Sequence, residues 1–423
     1  MSARLRIAIA SPLLWLAVGV SAQVTLPTPL RSAISEALLG NPEIQAAKRE
    51  EEAARARISP AGSLDDPMLE AGIINLPVES RRFDREDMTM KMVGLSQRIP
   101  YPGKRRLRED VATSEAEAVR HGFRETVNRV TRDVKVAYFD LALGLESIRL
   151  TEKNKRVLEQ FLQTAEARYA VGQSTQADVL KAQTQLAKMT DELLKLERER
   201  RNVEAELGRA VGRNSATLVL IPEMPSLKSP DLQADALRNE ALTNRPQLMA
   251  LRSTLARNDQ ALQLARKDYA PDFDVRLAYG QRDRSASGSR REDMVSITVA
   301  INLPIWGASK LAPRVVEATA MRDRASSMLQ QQQNELESRL RQELANVEQS
   351  AASARLYEST VLPQAKLTVE SSLAAYRVNR VDFLTLLDNQ MTVLNYELAF
   401  ATSVVRQNKS LAEIEFIAGR EPF

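Results

Sequence analysis

The chain has 423 residues, with 59 Lys and Arg against 55 Asp and Glu, no Cys and one His. Thiol nucleophiles, disulfides and thiolate metal sites are therefore excluded, as is any mechanism that needs a histidine pair. A formal charge of +4 is a small excess over a 27% charged fraction, so the basic isoelectric point near 9.2 does not argue for nucleic acid.

Arg4 and Arg6 precede an apolar run from Ile7 to Val20, and Val20-Ser21-Ala22 follows before Gln23. That order predicts a secretory signal peptide over residues 1–22. Its apolar core is roughly 14 residues, short of the ~20 that a membrane-spanning helix needs. No cysteine follows, which excludes a lipid-anchored mature N-terminus.

The remaining chain reads as one unit written twice. Asn41-Pro42 recurs as Arg245-Pro246, and Ile99-Pro100 with Gly103 recurs as Leu303-Pro304 with Gly307. Tyr169-Ala-Val-Gly172 recurs as Tyr376-Arg-Val-Asn379, and Val211-Gly212-Arg213 as Ala418-Gly419-Arg420. Residues 23–212 and 233–423 are the expected repeats, joined by a Pro-rich connector over 213–232. Each repeat is expected to run short helix, two strands, long helix, short helix.

The strands announce themselves by a switch to period two. Phe273, Val275, Leu277 and Tyr279 alternate with polar or small residues, and so do Val295, Ile297, Val299 and Ile301. Met68–Val78 and Met88–Ile99 are the noisier equivalents in the first repeat. Each run is about 10 residues, the length of a tilted transmembrane β-strand.

Helical patterns fill the rest. Val179, Leu186, Leu193 and Leu207 recur by heptads, as do Ala182, Met189, Leu196, Val203 and Ala210. Lys104 to Val171 has few helix breakers and would extend ~100 Å at 1.5 Å per residue. The fold class is thus mainly α with a small β part, built on coiled-coil hairpins. Four strands cannot close a barrel, whose smallest transmembrane form has about eight. Several copies must share one barrel if these strands enter a membrane.

The duplicated Asn/Arg-Pro starts, Gly94-Leu-Ser-Gln97-Arg-Ile-Pro100 before a long helix, and the two Tyr-x-Val-Gly/Asn tips resemble the TolC-like outer-membrane efflux proteins. The resemblance covers nearly the whole mature chain. It implies a homotrimer, a 12-stranded β-barrel shared by three chains and a periplasmic α-barrel below it. It also implies a bacterial outer-membrane location, docking onto a periplasmic adaptor (membrane fusion protein) and coupling to an inner-membrane RND-type transporter. The function implied is a passive exit duct for small molecules or heavy-metal ions; the alternative is a periplasmic adaptor or secreted coiled-coil scaffold. Asn75-Leu-Pro-Val78, Met88-Thr-Met-Lys-Met92 and Pro102-Gly-Lys-Arg-Arg106 look most like the heavy-metal CzcC/CusC-type branch.

No catalytic triad, P-loop or metalloprotease motif is present, so neither an enzyme nor a cofactor is expected. His121, among charged residues, reads as solvated. Lys104-Arg-Arg-Leu-Arg108 reads as contact with lipid headgroups or as a solvated helix start. By resemblance, Val171, Gly172, Val378 and Asn379 form the adaptor-docking tips. The periplasmic entrance falls to Asp178, Tyr376, Thr385 and Asp388, with Asp178 and Tyr376 matching a latch between hairpins; ordinary helix-end solvation is the plainer reading of these groups. Met88, Met90 and Met92 fall on one strand face with soft thioethers suited to Cu(I), or simply fill a barrel wall.

Overall fold

The computed structural model describes residues 28–213, 221–229 and 232–420. The expected signal peptide, and residues 214–220 and 230–231 of the expected connector, lie outside the described residues. The first half runs α1 (Thr28–Gly40), α2 (Pro42–Ala56), α3 (Ile58–Gly62), β1 (Met68–Ile74), β2 (Met90–Ile99), α4 (Lys104–Ala170) and α5 (Gln176–Val211). The second runs α6 (Ala234–Asn244), α7 (Pro246–Lys267), β3 (Phe273–Gln281), β4 (Met294–Ile301), α8 (Ala312–Leu356), α9 (Leu362–Arg377) and α10 (Phe383–Ala418). The molecule is mostly helical, with one small antiparallel sheet.

The 67 residues of α4 contain no proline, and the helix extends about 100 Å without interruption. Its counterpart in the second half is broken by π-helical turns at Gly307–Leu311 and Tyr357–Val361. Pro363, in the first turn of α9, has no N–H to donate, so the ladder widens just before it. The heptad alternation of α5 then lays Ala182, Met189 and Leu207 against α4.

The helical part holds three apolar cores. One joins α1, the middle of α4 and the end of α5, around Tyr138 and Leu207. A second joins the distal halves of α4, α5, α9 and α10 around Leu158, Phe383 and Leu386. The third joins α6, α7, α8 and the end of α10 around Leu248 and Ile417.

The strands pair in the order β1-β2-β3-β4, all antiparallel, so β1 and β4 each keep an unpaired edge. Strict alternation gives the sheet two unlike faces. Val93, Leu95, Leu277, Ile297 and Val299 share one face and are 49–74% exposed. Gly94, Ser96, Ala278, Ser296 and Thr298 share the other with Met92. Met88 departs from expectation: it lies in the turn before β2, because pairing of the first hairpin starts at Met90 opposite Ile74.

Within the basic run at 104–108, Arg105 and Arg106 are exposed as expected, but Lys104 is not. Lys104 is only 2% exposed, and its ammonium donates to Asp272 Oδ1 and the Ala270 carbonyl, both at 2.8 Å. Asp272 in turn accepts from the Tyr101 amide at 3.0 Å. Lys104 thus holds the start of the long helix onto the start of β3 from a buried position. His121 is less solvated than expected: its side chain is 12% exposed, Nε2 lies 3.9 Å from Glu117, and Nδ1 is buried without a partner.

Candidate functional site

The distal ends of the hairpins bring the tip residues together. Both long helices end in a left-handed residue that lets two amides turn back onto the last helical carbonyls. Gly172 has φ 74° with the Gln173 amide on Arg168 O at 2.8 Å; Asn379 has φ 61° with Arg380 on Ala375 O at 2.9 Å. Asparagine tolerates that conformation better than most side chains, which explains how it stands where the first tip has glycine. Val171 and Val378, beside them, are 67% and 62% exposed.

The helices that return from the tips start on matching caps with the residue types exchanged. Thr175 and Asp178 form a reciprocal capping box at the start of α5. At the start of α10, Asp382 accepts from the Thr385 amide at 3.0 Å. Hydrogen bonds from the Thr385 side chain and amide hold the Asp382 carboxyl below its ordinary range. Asp178 and Thr385 thus each have a local capping task. Asp388, one turn further along α10, is exposed and has no side-chain ion pair among the described residues.

Tyr376 is 4% exposed, with its ring 5.6 Å from Phe383. Its hydroxyl does not meet Asp178 directly. Ser174 Oγ stands between them, 2.8 Å from Asp178 Oδ2 and 3.4 Å from Tyr376 Oη. The stronger tie is one that sequence reasoning missed. Arg168 stacks on the Tyr376 ring at 4.6 Å and donates to the Tyr376 carbonyl at 2.5 Å, to Gln173 O at 3.1 Å and to Asn379 Oδ1. One guanidinium therefore joins both tips, as its planar fork of five donors allows. Its only sequence signal was a cation in the last turn of α4.

On the sheet, Met90 and Met92 occupy the small-residue face. Met90 Sδ lies where a Cβ on Gly280 would stand, and Met294 on β4 pairs with the same glycine. The thioethers gathered there are thus Met90, Met92 and Met294, with Met88 at 53% exposure in the preceding turn. Among the described residues, no group of three or more His, Asp or Glu side chains could hold a metal ion. None of the described helices is long and apolar enough to cross a membrane, which says nothing of a β-barrel.

The model of the outer membrane efflux protein family matches residues 33–213 and 237–420. The cobalt-zinc-cadmium resistance protein CzcC of Cupriavidus metallidurans is 24% identical over 398 residues, which cover 93% of this chain and 90% of that protein. Among solved structures, VceC from Vibrio cholerae superposes with a TM-score of 0.79 at 19% identity, covering 92% of this chain and 96% of VceC. The outer-membrane channel OprN superposes at 0.78 with 18% identity, covering 94% and 91% of the two chains. CusC gives 0.75 at 15%, covering 93% and 92%.

Proposed function

The chain belongs to the outer membrane efflux protein family, and from that premise we propose that three copies form a passive exit duct of a tripartite efflux system. The carrying observation is the sheet: an exposed apolar face bounded by two unpaired edges, β1 and β4. Backbone groups left open at those edges are not tolerated in lipid, so β4 of one chain pairs with β1 of the next. Three chains close twelve strands, with the apolar face towards outer-membrane lipid and the small-residue face towards the lumen.

The family match in two separate stretches, and a strand pair set between helices in both halves, support an internal duplication with the connector over 213–232 between the repeats. The helices then form a periplasmic α-barrel, with residues 1–22 as the export signal. Val171, Gly172, Val378 and Asn379 present the surface for a periplasmic adaptor, which links the duct to an inner-membrane transporter of the RND type. Asp388 lines the entrance, and Arg168 with Tyr376, Ser174 and Asp178 holds it shut. The adaptor or scaffold alternative fits less well, since two helical hairpins flank one sheet here.

Heavy-metal ions are the proposed cargo class, on the likeness to CzcC. Met90, Met92 and Met294 on the luminal face add soft ligands that a moving ion could touch. The duct reading is tested by mass measurement in mild detergent and by conductance in planar bilayers. Three chains per particle with ohmic pores supports it; a stable, non-conducting monomer overturns it.

A further inference from the structure

About 24 Å above the first tip, counted along α4 at 1.5 Å per residue, three helices converge on one buried carboxamide. Asn154 is 3% exposed. Its Nδ2 donates to two thioethers at once, Met189 Sδ on α5 and Met391 Sδ on α10, each at 3.7 Å. Its Oδ1 accepts from Gln390 Nε2 at 2.8 Å, while Gln185 Nε2 lies 3.2 Å from the Met391 sulfur. Apolar packing alone asks for none of this. Thioethers are weak hydrogen-bond acceptors but good soft-metal ligands, and here two from different helices face one atom.

We infer that this seam binds a soft monovalent cation, Cu(I) or Ag(I), through Met189 and Met391 with the Asn154 amide oxygen as third ligand. A half-turn of the Asn154 carboxamide exchanges its nitrogen for its oxygen without moving any other heavy atom. The same half-turn at Gln390 keeps the bond between the two amides, now with its direction reversed. Ligand atoms 3.7 Å apart subtend roughly 100° at a cation about 2.4 Å from each, an ordinary angle for such coordination. A cavity of about 220 Å³ reaches Asn154 and Gln390, although neither Met189 nor Met391 lines it. Its charged lining is balanced, Lys153 and Lys366 against Glu370 and Glu397, so it sets up no net barrier to a cation.

The site sits where the first hairpin meets the second, so an occupying ion would link α5 to α10 across the seam. It depends neither on what the duct carries nor on conduction, so a failed efflux assay leaves it standing. The converse also holds.

The test uses the intact protein in mild detergent and silver ion alone as the probe. With no cysteine and one histidine in the chain, tight silver binding reports thioethers almost exclusively. Retention after desalting, read by mass spectrometry of the metal, should show about one silver per chain bound by the seam. X-ray absorption should show two sulfur neighbours. The volume-conserving double change Met189→Leu with Met391→Leu should weaken that binding by on the order of 10- to 100-fold. Met391→Leu alone serves where the double variant fails to fold, and the triple change Met90→Leu, Met92→Leu and Met294→Leu should leave the seam-bound silver in place. Silver binding unchanged in the seam variants, or a silver spectrum without sulfur neighbours, overturns the proposal.

Discussion

The backbone of Asn41 lies against Gly212 so closely that a Cβ on the glycine would fall 2.7 Å from the Asn41 Cα. Asn41 completes the contact by donating from Nδ2 to the Ala210 carbonyl at 2.8 Å. The same relationship holds in the second half: a Cβ on Gly419 would fall 2.8 Å from Arg245 Cα, and Arg245 donates to Phe416 O at 3.2 Å. The opening and closing motifs of each half recur together because they touch.

Both glycines also carry a left-handed backbone, φ 89° and 70°. Gly212→Ala and Gly419→Ala should each destabilise by more than the ~1–2 kcal/mol that the conformation alone costs. Gly172→Ala has the same conformation with open space around it, and should cost only that amount. Thermal unfolding followed by circular dichroism ranks the three. Equal losses at all three sites would mean that the Asn41 and Arg245 contacts do not matter.

Lys104 and Asp272 make the second prediction. Burial pushes the Asp272 carboxyl up, but the Lys104 ammonium and the Tyr101 amide more than offset it, leaving its pKa below the ordinary 3.8. A depressed carboxylate lends stability that is complete above the unfolded value and fades as pH falls through the folded one. Asp272→Asn removes that acid dependence and leaves the buried ammonium with only the Asp268 carboxylate, 3.7 Å away, as counter-charge, so its cost should stay below the ~3–5 kcal/mol of a fully unpaired buried charge. Lys104→Met, which removes the cation instead, should cost less at low pH than at neutral pH. Melting curves of the two variants across pH check both signs.

These cases mark what could be read before the fold was known. Period-two runs place β3 and β4 within a residue or two, and heptads place the α5 seam, because both signals are local. The partner of Lys104 lies 168 residues away in sequence, so nothing nearby distinguishes this lysine from the exposed Arg105 beside it. In sequence Asp178 reads as a helix-end residue or a family position, and the structure adds a capping box with Thr175 that those readings do not name. Arg168 was invisible because its work depends on a second hairpin that only the fold brings alongside.

Arg168 should therefore dominate the closed entrance. Its bonds to the Tyr376 carbonyl and Asn379 are charge-assisted and largely buried, each contributing about 1.5–3 kcal/mol. Arg168→Ala should raise single-channel conductance in planar bilayers more than Tyr376→Phe combined with Asp178→Ala, which removes the link through Ser174 and the Asp178 half of the α5 capping box. The reverse ranking would move the latch back to the tyrosine hydroxyl.

His121 provides a pH handle on the helical part. Burial, then the Arg120 charge, lowers its pKa below the ordinary 6.5. The unfolded chain then binds a proton more readily than the native one, so stability falls as pH drops below about 6.5 and levels off once the folded value is passed. His121→Gln should flatten the melting temperature over that window, and a parallel pH profile in both proteins would rule the histidine out as its source.

The last prediction concerns how deep the sheet sits. Trp306, in the segment between β4 and α8, is 68% exposed, and the next residue, Gly307, packs against Tyr269, itself 46% exposed; Tyr101, between β2 and α4, is 38% exposed. Exposed aromatics gathered where strands pass into helices are what a bilayer interface recruits, since each ring has an apolar body and a polar edge. The chain has two tryptophans, and the other, Trp15, falls within the expected signal peptide. Fluorescence of the mature protein then reports Trp306 alone. In vesicles, lipids brominated near the headgroup should quench it more strongly than lipids brominated deep in the acyl chain, and Trp306→Phe should abolish the signal. Quenching by neither lipid would put Trp306 in water and detach the end of β4 from the membrane surface; stronger quenching from the deep position would shift the apolar band of the sheet towards the helices.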